Sequence, residues 1–251
     1  WTQLGVKIGL WVAYALLMAL TGFVSAWLAI RARPDSADGS TIRINGDVVE
    51  VGKSVSSKTA RRVAVVISLI VGVIFGSQFN ANWSEILLMF NAQSFGTTDP
   101  QFGLDNGFYV FVLPGLKLVL AAVAMLLGVG LVFSVVTHVL MGGIRITMPV
   151  NGRGLFSITK RCRRQLGIWL MLNMFAWAVR QMIGVFDQLT VQGSRITGAS
   201  YTAVHANIPV TFIMAALTAI LGVVLGIWLM RSHTLEGQAS IGVRASAALK
   251  A

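Results

Sequence analysis

Charge is scarce in this sequence, and its scarcity excludes a water-soluble globular domain. Only 12% of the 251 residues are Asp, Glu, Lys or Arg, whereas soluble domains carry about 25%. Hydrophobic residues make up 55% of the chain, and the mean hydropathy is +0.75. So few charges cannot cover a surface of this size in water, so we expect most of that surface to face lipid.

Cysteine is almost absent, and this excludes an intrachain disulfide. Cys162 is the only cysteine. It lies in the basic run 160–164, where neighbouring cations favour the thiolate form of a cysteine. Nothing else in that run indicates catalysis, so we expect Cys162 to be structural.

Residue patterns that carry catalysis or bind metals are also missing. The three histidines, His138, His205 and His233, are far apart in the sequence. The chain has no Walker loop and no serine nucleophile elbow. We therefore expect no enzyme activity, no cofactor and no metal site.

Long hydrophobic runs are what the sequence does contain, and they predict an all-α membrane protein. Five runs are long enough to cross a hydrocarbon layer of about 30 Å, or nearly so. They cover residues 4–30, 63–79, 108–140, 166–183 and 208–230. We expect a bundle of about five transmembrane helices in one domain, 1–251, which opens on Trp1 and is a fragment of a longer protein.

Two shorter elements are expected outside the bundle. Residues 83–90 are apolar but too short to span, which is typical of an interfacial helix, here on the outer side. Alternating residues on both sides of Asn45-Gly46 predict a small cytoplasmic β-hairpin. A disordered loop is the alternative, because an isolated hairpin is marginal in water.

The positions of Lys and Arg predict the orientation. Residues 31–62 hold seven, residues 141–165 hold six and the tail from 231 holds three, whereas 80–107 hold none and 184–207 hold one. Cytoplasmic loops carry the excess of Lys and Arg, so the amino end of this chain is expected outside and its carboxyl end inside a cell (plasma) membrane. A net charge of +11 also occurs in nucleic-acid-binding proteins. Its clustering beside apolar runs instead favours anionic lipid at the cytoplasmic face as a partner, and no nucleic acid.

Glycines four residues apart occur in three of the apolar runs. The pairs are Gly5 and Gly9, Gly72 and Gly76, and Gly222 and Gly226. Such pairs let two helix backbones approach closely in lipid. Glycine is also common in membrane helices for other reasons, so close packing at each pair stays open at this point.

A few ionisable residues are candidates for structural or interaction roles near the outer ends. For Lys117 and Arg180 we expect snorkelling to the outer headgroups, and a buried Arg180 would instead pair with Asp187 or Asp105. Asp99 and Asp105 bracket a glycine-containing turn. They either bind a cation such as calcium or, more commonly, cap helices and make turns.

Two strings in the predicted outer loops resemble a known family. They are FGTTDPQFGLDNGFYVFVLP (95–114) and GSRITGASYTAVHANIPV (193–210), the second of which contains Tyr201 and His205. Both are similar to uncharacterised protein family 0182, large multi-pass membrane proteins of actinobacteria and some other bacteria. The resemblance implies about seven spanning helices and a large extracytoplasmic domain after the last, of which this chain would be the central membrane portion.

Function is expected to be structural. The helices carry almost no charge, and the distinctive polar residues lie in the predicted outer loops. This pattern favours a membrane-embedded scaffold or anchor subunit of an envelope-associated assembly. Protein partners or a homo-oligomer in the membrane are expected with it. A transporter, a channel or a lipid-handling protein is the alternative. Transport proteins normally carry polar groups at the bilayer midplane, and these runs have few.

Overall fold

The computed structural model describes residues 2–32, 40–44, 47–51, 56–141, 143–146, 156–190 and 198–232. Helices dominate these ranges. The α-helices are α1 (Thr2–Arg31), α2 (Ser57–Ala81), α3 (Trp83–Phe90), α4 (Leu113–Leu140), α5 (Lys160–Gly184) and α6 (Ile208–Arg231). Short π-helical turns, Phe108–Val112 and Ala203–Asn207, precede α4 and α6, and a 3-10 turn, Phe186–Leu189, follows α5.

Four short strands form two antiparallel pairs. Strand β1 (Ser40–Ile44) pairs with β2 (Asp47–Val51), and β3 (Ile144–Ile146) pairs with β4 (Phe156–Ile158). The first pairing leaves two residues between the strands, the spacing of the predicted hairpin. The predicted turn itself, at 45–46, lies outside the described residues. The second pair was not predicted, because its strands are only three residues long.

Within the described ranges, five helical segments are long and apolar enough to cross a membrane. They are Gln3–Arg31, Ser57–Ser77, Phe108–Leu140, Lys160–Leu189 and Ala203–Arg231. The chain is therefore an all-α membrane protein with a bundle of five such helices, as predicted. Helix α3 covers the same residues, 83–90, as the short helix expected from the sequence.

The observed helices extend beyond several of the predicted spans. Helix α2 begins at Ser57 rather than at 63, and α5 begins at Lys160 rather than at 166. Both additions are basic first turns. Hydropathy indicates which residues suit lipid, but a helix can continue beyond the lipid into polar surroundings. The helix starts predicted from hydropathy are therefore one to two turns too late.

The five long helices pack in an order that differs from the order along the chain. Helix α1 packs against both α2 and α4, and α4 also packs against α5, which in turn packs against α6. Helix α4 thus joins an α1–α2 pair to an α5–α6 pair. We call the end with α3 and residues 91–107 the cap end, and the end with the two strand pairs the hairpin end.

Two of the three glycine pairs lie at close helix contacts. A Cβ added to Gly72 would come within 2.5 Å of the Ala15 carbonyl oxygen on α1, and one on Gly76 would meet Trp11 at 3.0 Å. On α6, Gly222 and Gly226 lie against methionines of α5.

The third glycine pair does not pack closely. A Cβ on Gly5 or on Gly9 would meet nothing within 4 Å. Spacing alone does not distinguish these cases, because the motif shows that a close approach is allowed and not that a partner is present.

Polar side chains within the apolar segments connect neighbouring helices. The Asn173 side-chain amide donates to the Leu127 carbonyl oxygen at 3.1 Å, which joins α5 to α4. The Tyr14 hydroxyl donates to the Ala122 carbonyl oxygen at 3.2 Å, which joins α1 to α4. Because lipid offers no competing water, hydrogen bonds between helices are favoured at this depth.

Candidate functional site

Residues 91–107, which we call the cap loop, fold into an ordered structure at the cap end. Thr98 and Asp105 form an antiparallel bridge, and the Asn106 N–H donates to the Thr97 carbonyl oxygen at 2.9 Å. Gly96 and Gly103 adopt positive φ angles of 70° and 67°. Only glycine enters this region without steric cost, so these two positions allow the loop to reverse direction tightly.

Asp99 organises the turn inside the cap loop. Its Oδ1 accepts hydrogen bonds from the N–H groups of Gln101 and Phe102 at 2.8 and 2.7 Å. Its Oδ2 accepts from the Leu104 N–H at 3.0 Å and from the Tyr109 hydroxyl at 2.8 Å. Partial desolvation raises the pKa of Asp99, but the hydrogen bonds from Phe102, Tyr109, Leu104 and Gln101 outweigh it and hold the pKa below its usual value.

Asp105 joins the two ends of the cap loop. Its carboxylate accepts a 2.5 Å hydrogen bond from the Ser94 hydroxyl and others from the N–H groups of Phe95 at 2.9 Å, Gly96 at 3.0 Å and Gly107 at 2.6 Å. The Ser94 hydroxyl contributes most to lowering the pKa of Asp105, to about 2, and the three N–H donors add to it. The aspartate is therefore ionised throughout the physiological range.

These contacts favour one of the two roles expected for Asp99 and Asp105. A carboxylate offers about four lone-pair sites, and each of the two accepts four hydrogen bonds from the protein. A cation would have to displace donors that hold the loop together. The geometry thus agrees with a turn-forming role, and the described residues contain no cluster of three or more His, Cys, Asp or Glu.

An aromatic cluster connects the cap loop to the end of α5. Phe186, in the 3-10 turn, makes edge-on contacts with Phe102 at 4.9 Å and with Phe108 at 5.4 Å between ring centroids. Tyr109, which bonds to Asp99, lies 6.4 Å from the same ring. Such pairs add about 0.5–1.5 kcal/mol each beyond their burial. The cap loop is thereby fixed to two spanning helices.

Lys117 and Asp187 form an ion pair beside this cluster. The Lys117 Nζ lies 3.0 and 2.9 Å from the two carboxylate oxygens of Asp187, and the side chains are 48% and 38% exposed. Because both side chains are partly exposed, this is not a buried pairing, and the snorkelling of Lys117 to the headgroups stays a prediction. The sequence did not reveal the ion pair because the partners are 70 residues apart.

Arg180 lies elsewhere on α5 and is exposed. A buried Arg180 was the condition under which Asp187 or Asp105 was expected to pair with it, and that condition is not met. Asp187 pairs with Lys117 instead, and Asp105 accepts its bonds within the cap loop.

Tyr201 and His205 contact each other at the start of the last spanning segment. Their rings stack with centroids 4.0 Å apart, and His205 Nδ1 lies 3.1 Å from the Tyr201 carbonyl oxygen. Tyr201 is 78% exposed. The pair is formed by residues one helical turn apart, so it is a local feature rather than an extension of the cap loop.

The two π-helical turns have a common cause in the sequence. Pro114 and Pro209 lie in the first turn of α4 and α6, just after the turns Phe108–Val112 and Ala203–Asn207. Proline has no N–H to donate and its ring collides with the carbonyl group four residues earlier. The wider π spacing accommodates both effects.

At the hairpin end, several buried polar side chains from different helices form a group that was not predicted from the sequence. His138 of α4 is 1% exposed, and its Nε2 lies 3.0 Å from the Gln165 side-chain oxygen on α5. The Gln165 amide donates to the Ser25 carbonyl oxygen of α1 at 2.9 Å. Arg163, also 1% exposed, donates to the Ser232 carbonyl oxygen at the end of α6.

The signal that could have revealed this group is weak. His138 lies 27 positions from its partner Gln165, and Gln165 lies 140 positions from Ser25, so no local pattern connects the three residues. Arg163 was counted as one more cation of a basic loop. Whether an arginine beside the first apolar residues of a span is buried or exposed depends on how the helices pack, and composition does not predict it.

The fold and the cap end together define a class: a multi-pass membrane domain whose five apolar helices carry an ordered loop at one end. The family model of uncharacterised protein family UPF0182 matches residues 1–249. The chain belongs to this family, as the resemblance of the strings at 95–114 and 193–210 indicated.

Relatives in the family come from several actinobacteria. A UPF0182 protein of Bifidobacterium adolescentis is 76% identical over 251 residues, all of this chain and 23% of that protein. Others from Kocuria rhizophila and Corynebacterium efficiens are 35% and 30% identical, covering 87% and 88% of this chain and 22% of each relative. The chain thus spans less than a quarter of the length of these relatives. No solved structure matches it.

Proposed function

We propose that this domain is a membrane-embedded scaffold or anchor subunit of a bacterial envelope-associated assembly. The observation that carries the proposal is the cap loop, which two aspartates hold in shape and an aromatic cluster joins to the ends of α4 and α5. A loop that is held in one shape by its own hydrogen bonds is suited to orient something attached to it. The long remainder of the related proteins supplies a candidate for the attached part.

The proposed orientation places the cap end outside a cell membrane and the hairpin end in the cytoplasm. Its support is the distribution of Lys and Arg, which are concentrated in the connections at the hairpin end. In this orientation the amino end of the chain is outside and the carboxyl end is cytoplasmic. An extracytoplasmic domain would then lie on the same side as the cap loop.

The proposed partners are lipid and protein. Anionic headgroups would meet the cations at the hairpin end, whereas protein partners or a second copy would meet the cap end. Exposed aromatic side chains at the cap end, Phe90, Phe95 and Tyr201, support the second part. Such rings are enriched where proteins meet. The role needs no catalysis, cofactor, metal or nucleic acid.

Affinity capture of the full-length protein from gently solubilised membranes tests the scaffold role. We expect one reproducible set of partner proteins, or a defined oligomer, to be recovered. Asp99→Ala, which removes four hydrogen bonds from the cap loop, should reduce that recovery severalfold at equal protein levels. Gln101→Ala is the matched control, because its side chain is exposed in the same turn.

A monomer recovered alone under the gentlest conditions would count against the scaffold role. If the Asp99→Ala and wild-type proteins recovered equal amounts of partner, partner binding would not depend on the structure of the cap loop. In that case the loop would be a structural detail of this domain and not its functional surface.

A transporter or channel, or a lipid-handling protein, remains the second candidate function. The observation that favours it is the buried group with His138 and Arg163, since ionisable residues within spanning segments often mark a transport pathway. Against it, Asn173 and Tyr14 use their polar groups to join helices. Specific solute movement by the full-length protein in liposomes would decide in favour of transport.

A further inference from the structure

The helices on either side of α4 form two pairs that run in opposite directions. Helix α1 leads from the cap end to the hairpin end and α2 returns, whereas α5 leads from the hairpin end to the cap end and α6 returns. Both α1 and α5 pack on α4. A half-turn about an axis in the membrane plane, through the middle of α4, would therefore match α1 with α5 and α2 with α6.

Glycines at matching positions hold each pair together. Gly72 and Gly76 are the sixteenth and twentieth residues of α2, and Gly222 and Gly226 are the fifteenth and nineteenth of α6. A Cβ added to Gly72 would come within 2.5 Å of a backbone oxygen of α1, and one on Gly226 within 3.0 Å of a backbone oxygen of α5. Backbone meets backbone in both pairs, so each pair should move as one body.

Side chains at matching positions join each pair to α4. Tyr14 is the thirteenth residue of α1, and Asn173 is the fourteenth of α5. They donate to the carbonyl oxygens of Ala122 at 3.2 Å and of Leu127 at 3.1 Å. These two oxygens lie on either side of the middle of the segment Phe108–Leu140, as the half-turn requires. Helix directions, glycines and hydrogen bonds thus agree on one inverted repeat.

A contact between α1 and α5 breaks this symmetry. At the hairpin end, the Gln165 amide donates to the Ser25 carbonyl oxygen at 2.9 Å. In the same alignment, the matching positions are Val6 on α1 and Gly184 on α5, at the cap end. A Cβ added to Gly184 would meet no atom of the described residues within 4 Å, so Val6 does not touch it. The two helices are joined at one end and open at the matching place at the other.

We propose that the domain has a second conformation, in which α1 and α5 meet at Val6 and Gly184 and part at Ser25 and Gln165. The pairs α1–α2 and α5–α6 rock about α4, as the repeats of inverted-repeat transporters do. The Gln165 bonds to Ser25 and His138 hold the conformation described here. The proposal goes beyond the scaffold role, and it would supply the movement that the second candidate function requires.

Spin-label distances from double electron–electron resonance test this movement. The full-length protein would be freed of its native cysteines and placed in lipid nanodiscs. Labels at Leu4 and Met182 report on the cap ends of α1 and α5, and labels at Leu28 and Ile168 report on their hairpin ends. All four side chains are exposed. With Gln165 present, we expect one main distance for each label pair, that of the conformation described here.

Gln165→Leu should shift the balance between the two conformations. It removes the bond from α5 to α1 and the bond to His138. The share of molecules with a short cap-end distance and a long hairpin-end distance should therefore rise severalfold. Gln181→Leu is the matched control on the same helix, because Gln181 donates to Thr218 within the α5–α6 pair at 3.3 Å. It should leave both distances unchanged.

Disulfide formation gives a second test that leaves Gln165 in place. Val6→Cys and Gly184→Cys should be cross-linked by oxidant when the cap ends meet, since a disulfide needs Cα atoms within about 7 Å. The cross-linked protein should show the long hairpin-end distance. Ile8→Cys is the control for Val6→Cys, because it is exposed on the opposite face of α1 and should not cross-link to Gly184→Cys.

Three results would each overturn the proposal. Longer distances at both ends in Gln165→Leu would show a bundle that only loosens. Unchanged distances in Gln165→Leu, or no cross-link between Val6→Cys and Gly184→Cys, would show that α1 and α5 have a single arrangement. A change in the distance between labels at the exposed positions Leu16 and Ile70 would show that the α1–α2 pair does not move as one body.

Discussion

The hydrogen bonds of the cap loop and those of the buried polar group at the hairpin end connect residues at very different distances along the chain. At the cap end, Asp105 and Asp99 bond to groups no more than eleven residues away. At the hairpin end, Gln165 and His138 join helices 27 to 140 residues apart. Loss of the bonds to Asp105 should therefore loosen the cap loop alone, whereas a change at Gln165 affects three helices at once.

The largest expected effect of a single substitution in this comparison is at Gln165. Gln165→Leu removes both of its interhelical bonds and leaves the buried His138 ring without that partner, which should cost about 2 kcal/mol. Unfolding in mixed micelles measures this cost. Gln101→Leu at the cap end, an exposed position, should change stability by less than about 0.5 kcal/mol. Equal effects of the two substitutions would contradict the distinction between the ends.

A local effect is expected from Asp105→Asn. The N–H groups of Phe95, Gly96 and Gly107 lose a charged acceptor, so their hydrogen exchange should accelerate about tenfold or more. Exchange in the helices should not change, because the bonds are confined to the cap loop. Glu85→Gln, on α3, removes the same charge and should leave exchange in the cap loop as it was. Faster exchange throughout the bundle would show that the cap loop is not a separate unit.

A smaller and purely electrostatic effect is expected from Ser94→Ala. The Ser94 hydroxyl contributes most to lowering the pKa of Asp105 to about 2, so the substitution should raise that pKa towards its usual value of 3.8. Carboxyl-carbon NMR titration measures the change, with Ser84→Ala as control. A pKa of Asp105 unchanged by Ser94→Ala would mean that the short hydrogen bond does not form in solution.

The same titration predicts the sign of the acid response. Because the pKa of Asp105 is lower in the folded chain than in the unfolded one, its contribution to stability is present above about pH 4. It is lost as the pH falls towards about 2. The cap loop should therefore loosen over that range, and near neutral pH its stability should not change with pH through Asp105.

The smallest effect is expected at the Lys117–Asp187 pair. Both side chains are more than a third exposed, and exposed pairs contribute about 0–1 kcal/mol. Lys117→Ala should lower the free energy of unfolding by about 0.5 kcal/mol or less at moderate salt, and high salt should remove the difference. A loss of more than about 2 kcal/mol would show that the pair is shielded by lipid or by another part of the full-length protein.

The sequence predicted those parts of the fold that depend on composition. Five apolar runs gave five spanning helices, and the short run at 83–90 gave α3, because lipid imposes length and hydropathy on each segment separately. The sequence did not predict which faces meet. Gly72 and Gly5 belong to the same motif, yet only Gly72 lies against a neighbouring helix.

The cap end was predictable only where its contacts are local in the sequence. Asp99 and Asp105 were identified as turn residues or cation ligands because their spacing and neighbouring glycine are local features. The partner of Lys117 and the contact of Phe186 with the cap loop depend on how α4 and α5 approach each other. No pattern within either segment contains that information.

Labelling from outside intact cells tests the central claim most directly, namely that the bundle places the cap end outside and the hairpin end inside. The full-length protein, freed of its native cysteines, would carry a single cysteine at exposed Thr97 in the cap loop or at exposed Ser56 before α2. A membrane-impermeant maleimide should modify Thr97→Cys in intact cells and Ser56→Cys only after lysis. Modification of Ser56→Cys but not of Thr97→Cys in intact cells would reverse the orientation and contradict the account.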